Sequence, residues 1–342
     1  MRREICSAFW ILPSGIRRNL IHRPPETLED RLFEQIEQAW EAAGAWPELV
    51  AAMRHSLLAD PDSPPASGAP RPPWLRLPLL CCQAAGGDPG LAEPAAAAWV
   101  LLYAAAHLLD STQDGDPPEA WWEPLGPGPA SNVATGLIAA SALLLGSGPR
   151  PADDRLIQDF FQTVLQMSSA QHFDLTVPSP SLDDCWRMAE AKSGAFFGLA
   201  CRAGARAAGI DEGLVSHYSS YGASLGLLLQ IGDDLSDLAA VGVDAAGRPG
   251  HGRMTLPIAY FLSVAPADAV RELNSVRADQ GGLLRPGRGV VEMLREFGTG
   301  LYLTVKVHEL RQRGASALRR AAKPSPALEH LLEMLESIPP AV

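Results

Sequence analysis

Aromatic side chains make up only 6% of the 342 residues, and the five cysteines (Cys6, Cys81, Cys82, Cys185, Cys201) form no CxxC pair. The cysteine spacing excludes a paired zinc framework, and thiols set in apolar runs suit a reducing compartment better than a disulfide frame. Positive charge is also short: 28 Lys and Arg face 39 Asp and Glu, a formal charge of −11. That balance argues against a nucleic-acid partner, because phosphate neutralisation needs clustered cations. None of the eight histidines follows a glutamate by three residues, so the ligand pattern of a di-iron helical bundle is missing. No apolar run reaches about 18 residues without Gly, Pro or charge, and no transmembrane segment is expected. The basic start MRREICSAFWILPSG is broken by Glu4 and by Pro13 to Gly15, which spoils a signal-peptide reading. A cytoplasmic chain is the resulting expectation.

Ala, Leu and Gly dominate what is present, and the long segments carry helical rather than alternating apolar spacing. An all-α fold follows. The spacing predicts a long amphipathic helix from Thr27 to Leu58, with Leu32, Ile36, Trp40 and Ala43 on one face. A helical pair is expected over 76–86 and 89–110. Further helices are expected near 132–146, 152–172, 182–208, 211–239, 255–275, 288–313 and 325–337. Two breaker-rich stretches, 59–74 and 117–131, separate helices rather than domains. Residues 1–25 read as an irregular arm, and 26–342 as a single all-α domain.

Two acidic stretches carry the chemistry. In HLLDSTQDGD (107–116) Asp110 and Asp114 are four apart; in LLLQIGDDLSDL (227–238) Asp233 and Asp237 repeat the spacing, with Asp234 one step round. Residues four apart share a helix face, so each stretch sets two carboxylates side by side at the end of an apolar helix. Like charges so placed destabilise a helix unless a cation lies between them. Oxygen ligands suit Mg²⁺, which takes one or two carboxylates and shares its remaining positions with water and substrate phosphates. Two such sets facing each other would hold several Mg²⁺ ions around a diphosphate and favour its departure from an allylic carbon. For each motif alone, the competing reading is a solvated helix end.

These residues resemble the polyprenyl (trans-isoprenyl diphosphate) synthase family, with the class I isoprenoid-synthase fold, over about residues 68 to 260. QIGDDLSD (230–237) is similar to the family's second DDxxD motif, and DSTQD (110–114) resembles the first with Ser111 in place of an aspartate. AQHFDL (170–175) resembles GQxxDL, and AKSGAFF (191–197) the helix whose lysine grips the allylic diphosphate. GRMTLP (252–257) resembles GKxTLP with Arg253 as the cation, and LRLPLL (75–80) resembles LRPLL and carries Arg76. The resemblance implies a single large helical bundle around a central cavity, and a homodimer. It implies catalytic roles for Asp110, Asp114, Asp233, Asp234 and Asp237: Asp110, Asp114 and Asp233 as leading Mg²⁺ ligands, Asp237 as a further ligand, and Asp234 and Asp237 in support through water or from behind the ligands. It also implies that Lys192, Arg253, Arg76, Gln171, Asp174 and Gln230 bind the prenyl diphosphate.

The chain departs from the family where isopentenyl diphosphate binds. Residues 68–71 read GAPR where the family has GGKR, and 115–132 contain no arginine where the family has RRG. Without paired arginine the bidentate phosphate grip is lost. The expected function is therefore Mg²⁺-dependent ionisation of an allylic prenyl diphosphate with release of pyrophosphate. The cation is quenched by cyclisation, as in terpene synthases, or by an acceptor other than isopentenyl diphosphate. The alternatives are a prenyltransferase, either elongating or of the branch that prenylates a peptide on tryptophan, and a non-catalytic subunit of a prenyl synthase. By the same resemblance Ala104 to Ala106 line a pocket for a long tail. Tyr103, Phe196 and Phe197 are candidates to face the cation, and Trp121 and Trp122 to close over it.

Overall fold

The computed structural model describes residues 28–58, 76–114, 125–147, 154–240, 254–278 and 290–337, and every regular element among them is helical. In chain order these are α1 Leu28–Ala42, α2 Pro47–Leu58, α3 Leu77–Ala84, a 3₁₀ turn Pro89–Ala92, α4 Glu93–Gln113, α5 Pro127–Ser147 and α6 Asp154–Thr176. There follow α7 Leu182–Ala189, a π-helical turn Glu190–Gly194, α8 Ala195–Ala207 and α9 Glu212–Ala240. The remaining helices are α10 Leu256–Val264, α11 Ala267–Ala278, α12 Val290–Glu296, α13 Thr299–Ala321 and α14 Pro326–Glu336. The all-α expectation is met; the expected arm at 1–25 lies outside the described residues.

The chain divides into two compact units: unit 1 is Met1–Gln162, Leu199–Val215 and Ala322–Leu328; unit 2 is Thr163–Gly198, Ser216–Ala321 and Glu329–Val342. Within unit 1, α4 and α5 pack along each other, and α1 and α2 cover them. Leu32, Phe33, Ile36 and Trp40 of α1 are buried together with Leu101, Leu102 and Leu108 of α4 and Leu137 of α5. Arg31 donates twice to Glu93 Oε1, at 2.9 and 2.7 Å, tying α1 to the start of α4. Helices Pro89–Gln113 and Pro127–Gly146 are long and apolar enough to cross a membrane by length and average hydropathy, although Gly, Pro or charge interrupts each apolar run. The apolar windows of these helices are 67% and 44% buried inside the structure.

In unit 2 the apolar faces of α10, α11 and α12 close on one cluster: Ile258, Phe261, Leu273, Val290, Met293 and Leu294, with Leu238 from the end of α9. Four of the expected helices are divided. The Thr27–Leu58 helix breaks where Gly44 takes φ 65°, a left-handed conformation that glycine adopts at little cost, and Pro47 opens α2. The 255–275 helix breaks at Ala265, which is extended, before Pro266; a residue preceding proline is pushed out of the helical region. The 182–208 helix contains the π turn, and 288–313 separates into α12 and α13. Conversely α5 begins at Pro127, inside the stretch expected to be a loop. Prolines 127 and 129 occupy the first turn, where a missing N–H removes no intrahelical bond.

Candidate active site

The first acid motif closes α4 in unit 1. Asp114 is the C-cap residue, with its N–H donating to the Asp110 carbonyl, so the two carboxylates stand one turn apart on the same face. Both are half-buried, whereas Ser111 is 5% exposed and faces the packed interior of the unit. A serine there avoids burying a third charge, which would be costly without a partner. Two carboxylates at a helix C-terminus oppose the macrodipole as well as each other, a cost that a bound cation would relieve. Arg76 lies in the same unit, exposed, as the N-cap of α3. Of the tail-pocket candidates, Ala104 and Ala105 are wholly covered and Ala106 is partly exposed.

Unit 2 gathers the remaining described candidates around α7 and the π turn that follows it. A capping box starts α7: Asp184 N donates to Ser181 Oγ at 3.1 Å, and Ser181 N returns a bond to Asp184 Oδ2 at 3.1 Å. Along α7 the Trp186 indole donates to Tyr302 Oη at 2.7 Å, and Tyr302 stacks on Tyr260 with centroids 4.0 Å apart. Arg187 lies over the Phe173 ring of α6 at 5.0 Å. Helix α7 is thus fastened to α6 and α13 immediately before the backbone loosens into a π turn, a feature frequent at functional sites.

The π turn carries Lys192 and Ser193. Lys192 Nζ donates to Asp174 Oδ2 on α6 at 2.9 Å, with both side chains about a quarter exposed. Gln171 sits one turn before Asp174 and is half-buried. Ser193 Oγ donates to Gln230 Oε1 at 2.7 Å; Gln230 Nε2 donates to Asp234 Oδ1 at 2.9 Å; and Leu256 N donates to Asp234 Oδ2 at 2.7 Å. Asp234 is only 7% exposed, whereas Asp233, one residue earlier on α9, is half-buried. Helix α9 reaches the π turn because position 226 is glycine: a Cβ there would lie 2.2 Å from the Ser193 carbonyl oxygen.

Cys185 stands near both Asp174 and Asp234, and burial followed by those two charges pushes its thiol up to about 12. It stays a neutral thiol at ordinary pH, neither nucleophile nor metal ligand. Phe196 and Phe197 meet edge to face, 5.5 Å apart, and are each 5% exposed. A hollow in unit 2, about 780 Å³, is lined by Glu190, Gly194 and Ala195 beyond the π turn, with Ser216, Arg313 and Arg320 among the facing groups.

Gln171, Asp174, Lys192, Gln230, Asp233 and Asp234, named from the sequence, all lie in unit 2, as do Ser193 and the Leu256 amide, which the sequence did not single out. A hydroxyl directly after the lysine was the available signal for Ser193. Arg253, Trp121, Trp122 and the side chain of Asp237 lie outside the described residues, as do the GAPR segment and residues 115–124. Among the described residues no three Asp, Glu, His or Cys groups assemble into a ready cation site. Mg²⁺ asks for less, one or two carboxylates completed by water and phosphate; Asp110 and Asp114 in unit 1, and Asp233 in unit 2, are half-buried carboxylates of that kind.

Comparison with known proteins accords with this geometry. Among curated relatives, the geranylgeranyl diphosphate synthase of Mycobacterium tuberculosis is 29% identical over 217 residues, 59% of this chain and 62% of its own. The tryptophan prenyltransferase ComQ of Bacillus subtilis subsp. natto is 33% identical over 135 residues, 39% of this chain and 41% of its own. The chain therefore spans less than two thirds of the length of these relatives. The crystal structure of geranylgeranyl pyrophosphate synthetase from Pyrococcus horikoshii shares the fold with a TM-score of 0.72 at 21% identity, covering 91% of this chain and 97% of that one. The polyprenyl synthetase family model matches residues 82–281, a span that includes both acid motifs, the lysine turn and Arg253, and the chain belongs to the polyprenyl synthetase family.

Proposed function

We propose that this protein transfers a prenyl group from an allylic diphosphate to an acceptor that carries no diphosphate of its own. The observation that carries the reading is Lys192, presented on a π turn and held by Asp174 at 2.9 Å beside the second acid motif. The named relatives make or transfer prenyl groups, which favours transfer to an acceptor over the cyclisation expected from the sequence. The acceptor assignment rests on the stretch after the first motif, where residues 115–132 hold no Arg or Lys but Asp116, Glu119 and Glu123. A second diphosphate would meet repulsion there.

In this reading residues 26–342 act as a single all-α domain whose Asp110, Asp114 and Asp233 all serve the metal, and two chains associate as a homodimer. Bound Mg²⁺, held by these carboxylates, would draw charge from the diphosphate oxygens and lower the barrier to their departure. Lys192 grips the diphosphate, and Asp174 fixes the direction of its ammonium group. The allylic carbon–oxygen bond breaks with its electron pair leaving on pyrophosphate, and the acceptor's electron pair forms the new bond to carbon. The acceptor's proton passes to the released pyrophosphate. Gln230, pinned by Ser193, presents no loose nucleophile to the cation.

The test is incubation with prenyl diphosphates of ten, fifteen and twenty carbons plus Mg²⁺, with and without isopentenyl diphosphate, and with an indole-containing peptide. Pyrophosphate release that depends on a non-phosphorylated acceptor is the expected result. Longer diphosphates formed with isopentenyl diphosphate would overturn the acceptor assignment, and hydrocarbons formed with no acceptor would restore cyclisation. No release with any substrate would leave the non-catalytic subunit. Sedimentation equilibrium reads the dimer.

A further inference from the structure

We propose that Asp234, the second acid of the DDLSD motif, is a positioning residue: a buried clamp that joins the lysine turn to the start of α10 rather than a ligand for the metal. The inference deepens the function proposed above and rests on it for its catalytic arm. Three observations carry it. Asp234 is 7% exposed, unlike its half-buried neighbour Asp233. Each of its oxygens already accepts a bond, Oδ1 from Gln230 Nε2 at 2.9 Å and Oδ2 from Leu256 N at 2.7 Å.

The third observation concerns α10 itself. Thr255 is its N-cap residue, a type well suited to capping, yet it makes no side-chain cap bond and its Oγ1 is buried without a hydrogen-bond partner. The first amide of the helix is instead satisfied from α9, 22 residues earlier, by Asp234. A carboxylate against a helix N-terminus is favoured by the exposed N–H groups and by the macrodipole. Its charge is spent there, which makes it a poorer ligand than Asp233. The same carboxylate orients the Gln230 amide, whose oxygen accepts from Ser193 at 2.7 Å. The chain Ser193, Gln230, Asp234, Leu256 therefore links the lysine turn to the first residue of α10, so that one buried acid sets both.

The test compares the full chain with Asp234→Asn, Ser193→Ala, Ser193→Thr and Asp233→Asn. Amide hydrogen exchange without ligand reads the clamp; the Mg²⁺ dependence of thermal stabilisation by Mg²⁺ with pyrophosphate, and of pyrophosphate release, reads the metal. Asp234→Asn should raise exchange at the Leu256 end of α10 at least 10-fold and cut turnover, with the Mg²⁺ half-saturation unchanged within twofold. Asp233→Asn should leave that exchange alone and shift the half-saturation 10-fold or more. Ser193→Ala should lower turnover several-fold and Ser193→Thr should restore it, a pair that keeps the proposal testable if Asp234→Asn does not fold. Unchanged exchange in Asp234→Asn, or a Mg²⁺ shift as large as that of Asp233→Asn, overturns the clamp. If the native chain releases no pyrophosphate, the function fails while exchange and thermal stabilisation still decide the role of Asp234.

Discussion

Replacing Gly226 with alanine probes the approach of α9 to the lysine turn. The added Cβ would lie 2.2 Å from the Ser193 carbonyl oxygen, 2.7 Å from its carbon and 3.1 Å from Phe197 Cδ2, where ordinary contact begins near 3.4 Å. Backbone must therefore retreat by roughly 1 Å, because the nearest atoms belong to a carbonyl and not to a side chain that can rotate away. Overpacking of this kind costs about 1–3 kcal/mol, and the upper end applies against backbone. A gain of about 0.5–1 kcal/mol from removing a helical glycine offsets part of it. The net expectation is a loss of about 2 kcal/mol, or a Tm lower by about 4–8 °C at the 2–4 °C per kcal/mol typical of large domains. Urea and thermal unfolding of Gly226→Ala beside Gly146→Ala measure it. Gly146 lies on α5 with nothing within 4 Å of its ideal Cβ, so its alanine variant should gain up to about 1 kcal/mol. Separation at the turn also stretches the Ser193 to Gln230 bond, so turnover should fall by more than the folded fraction does. Equal stability of the two variants would refute the close crossing.

Further expectations follow from the charges and thiols. Burial pushes Cys82 up to about 11 and Cys185 up to about 12. The folded state thus keeps protons that the unfolded chain releases above about 9, and stability should hold below that pH and fall progressively as pH rises toward 12. Urea midpoints at pH 8, 9.5 and 10.5 check this, and Cys185→Ala should flatten the decline. Because α4 ends on two half-buried carboxylates, Mg²⁺ with pyrophosphate should raise Tm, by the equivalent of about 2.7 kcal/mol at 100 times the dissociation constant, and Asp110→Asn should abolish most of the rise. Lys192→Met should lower turnover about 10²- to 10³-fold, the scale for removing one preorganised charge-stabilising donor, while thermal melting of the ligand-free chain moves little.

Helix α9 illustrates what a sequence makes legible. Its apolar run from Leu225 to Ile231 and the acids that follow predict a helix over 211–239 with carboxylates at its end, and the structure has Glu212–Ala240. Order and spacing of the motifs singled out both Lys192 and Asp174, but their ion pair is seen only in the structure. The π turn left no such mark. It inserts one residue into a helix whose letters, AKSGAFF, are small or apolar apart from Lys192, so the apolar periodicity does not register the shift. Gly44 sat inside an amphipathic pattern that continues on both sides, and its φ of 65° ends α1 shortly before Pro47 opens α2. In α5 the prolines read as loop because the position of a helix start decides whether proline breaks or begins it.

Asp233 and Asp234 are indistinguishable as letters and differ by about 100° around α9. That angle assigns them opposite tasks. Three acids within five residues at a helix C-terminus repel one another and the dipole, and no cation from the described part of the chain need answer all of them if one is withdrawn into donors of its own. Leu256 N and Gln230 Nε2 supply those donors for Asp234, leaving Asp233 half-buried at the surface where an ion can reach it. The donor that decides the matter lies 22 residues away in α10, at a backbone amide present in every sequence, so only the folded chain separates the acid that holds the site together from the acid offered to the metal.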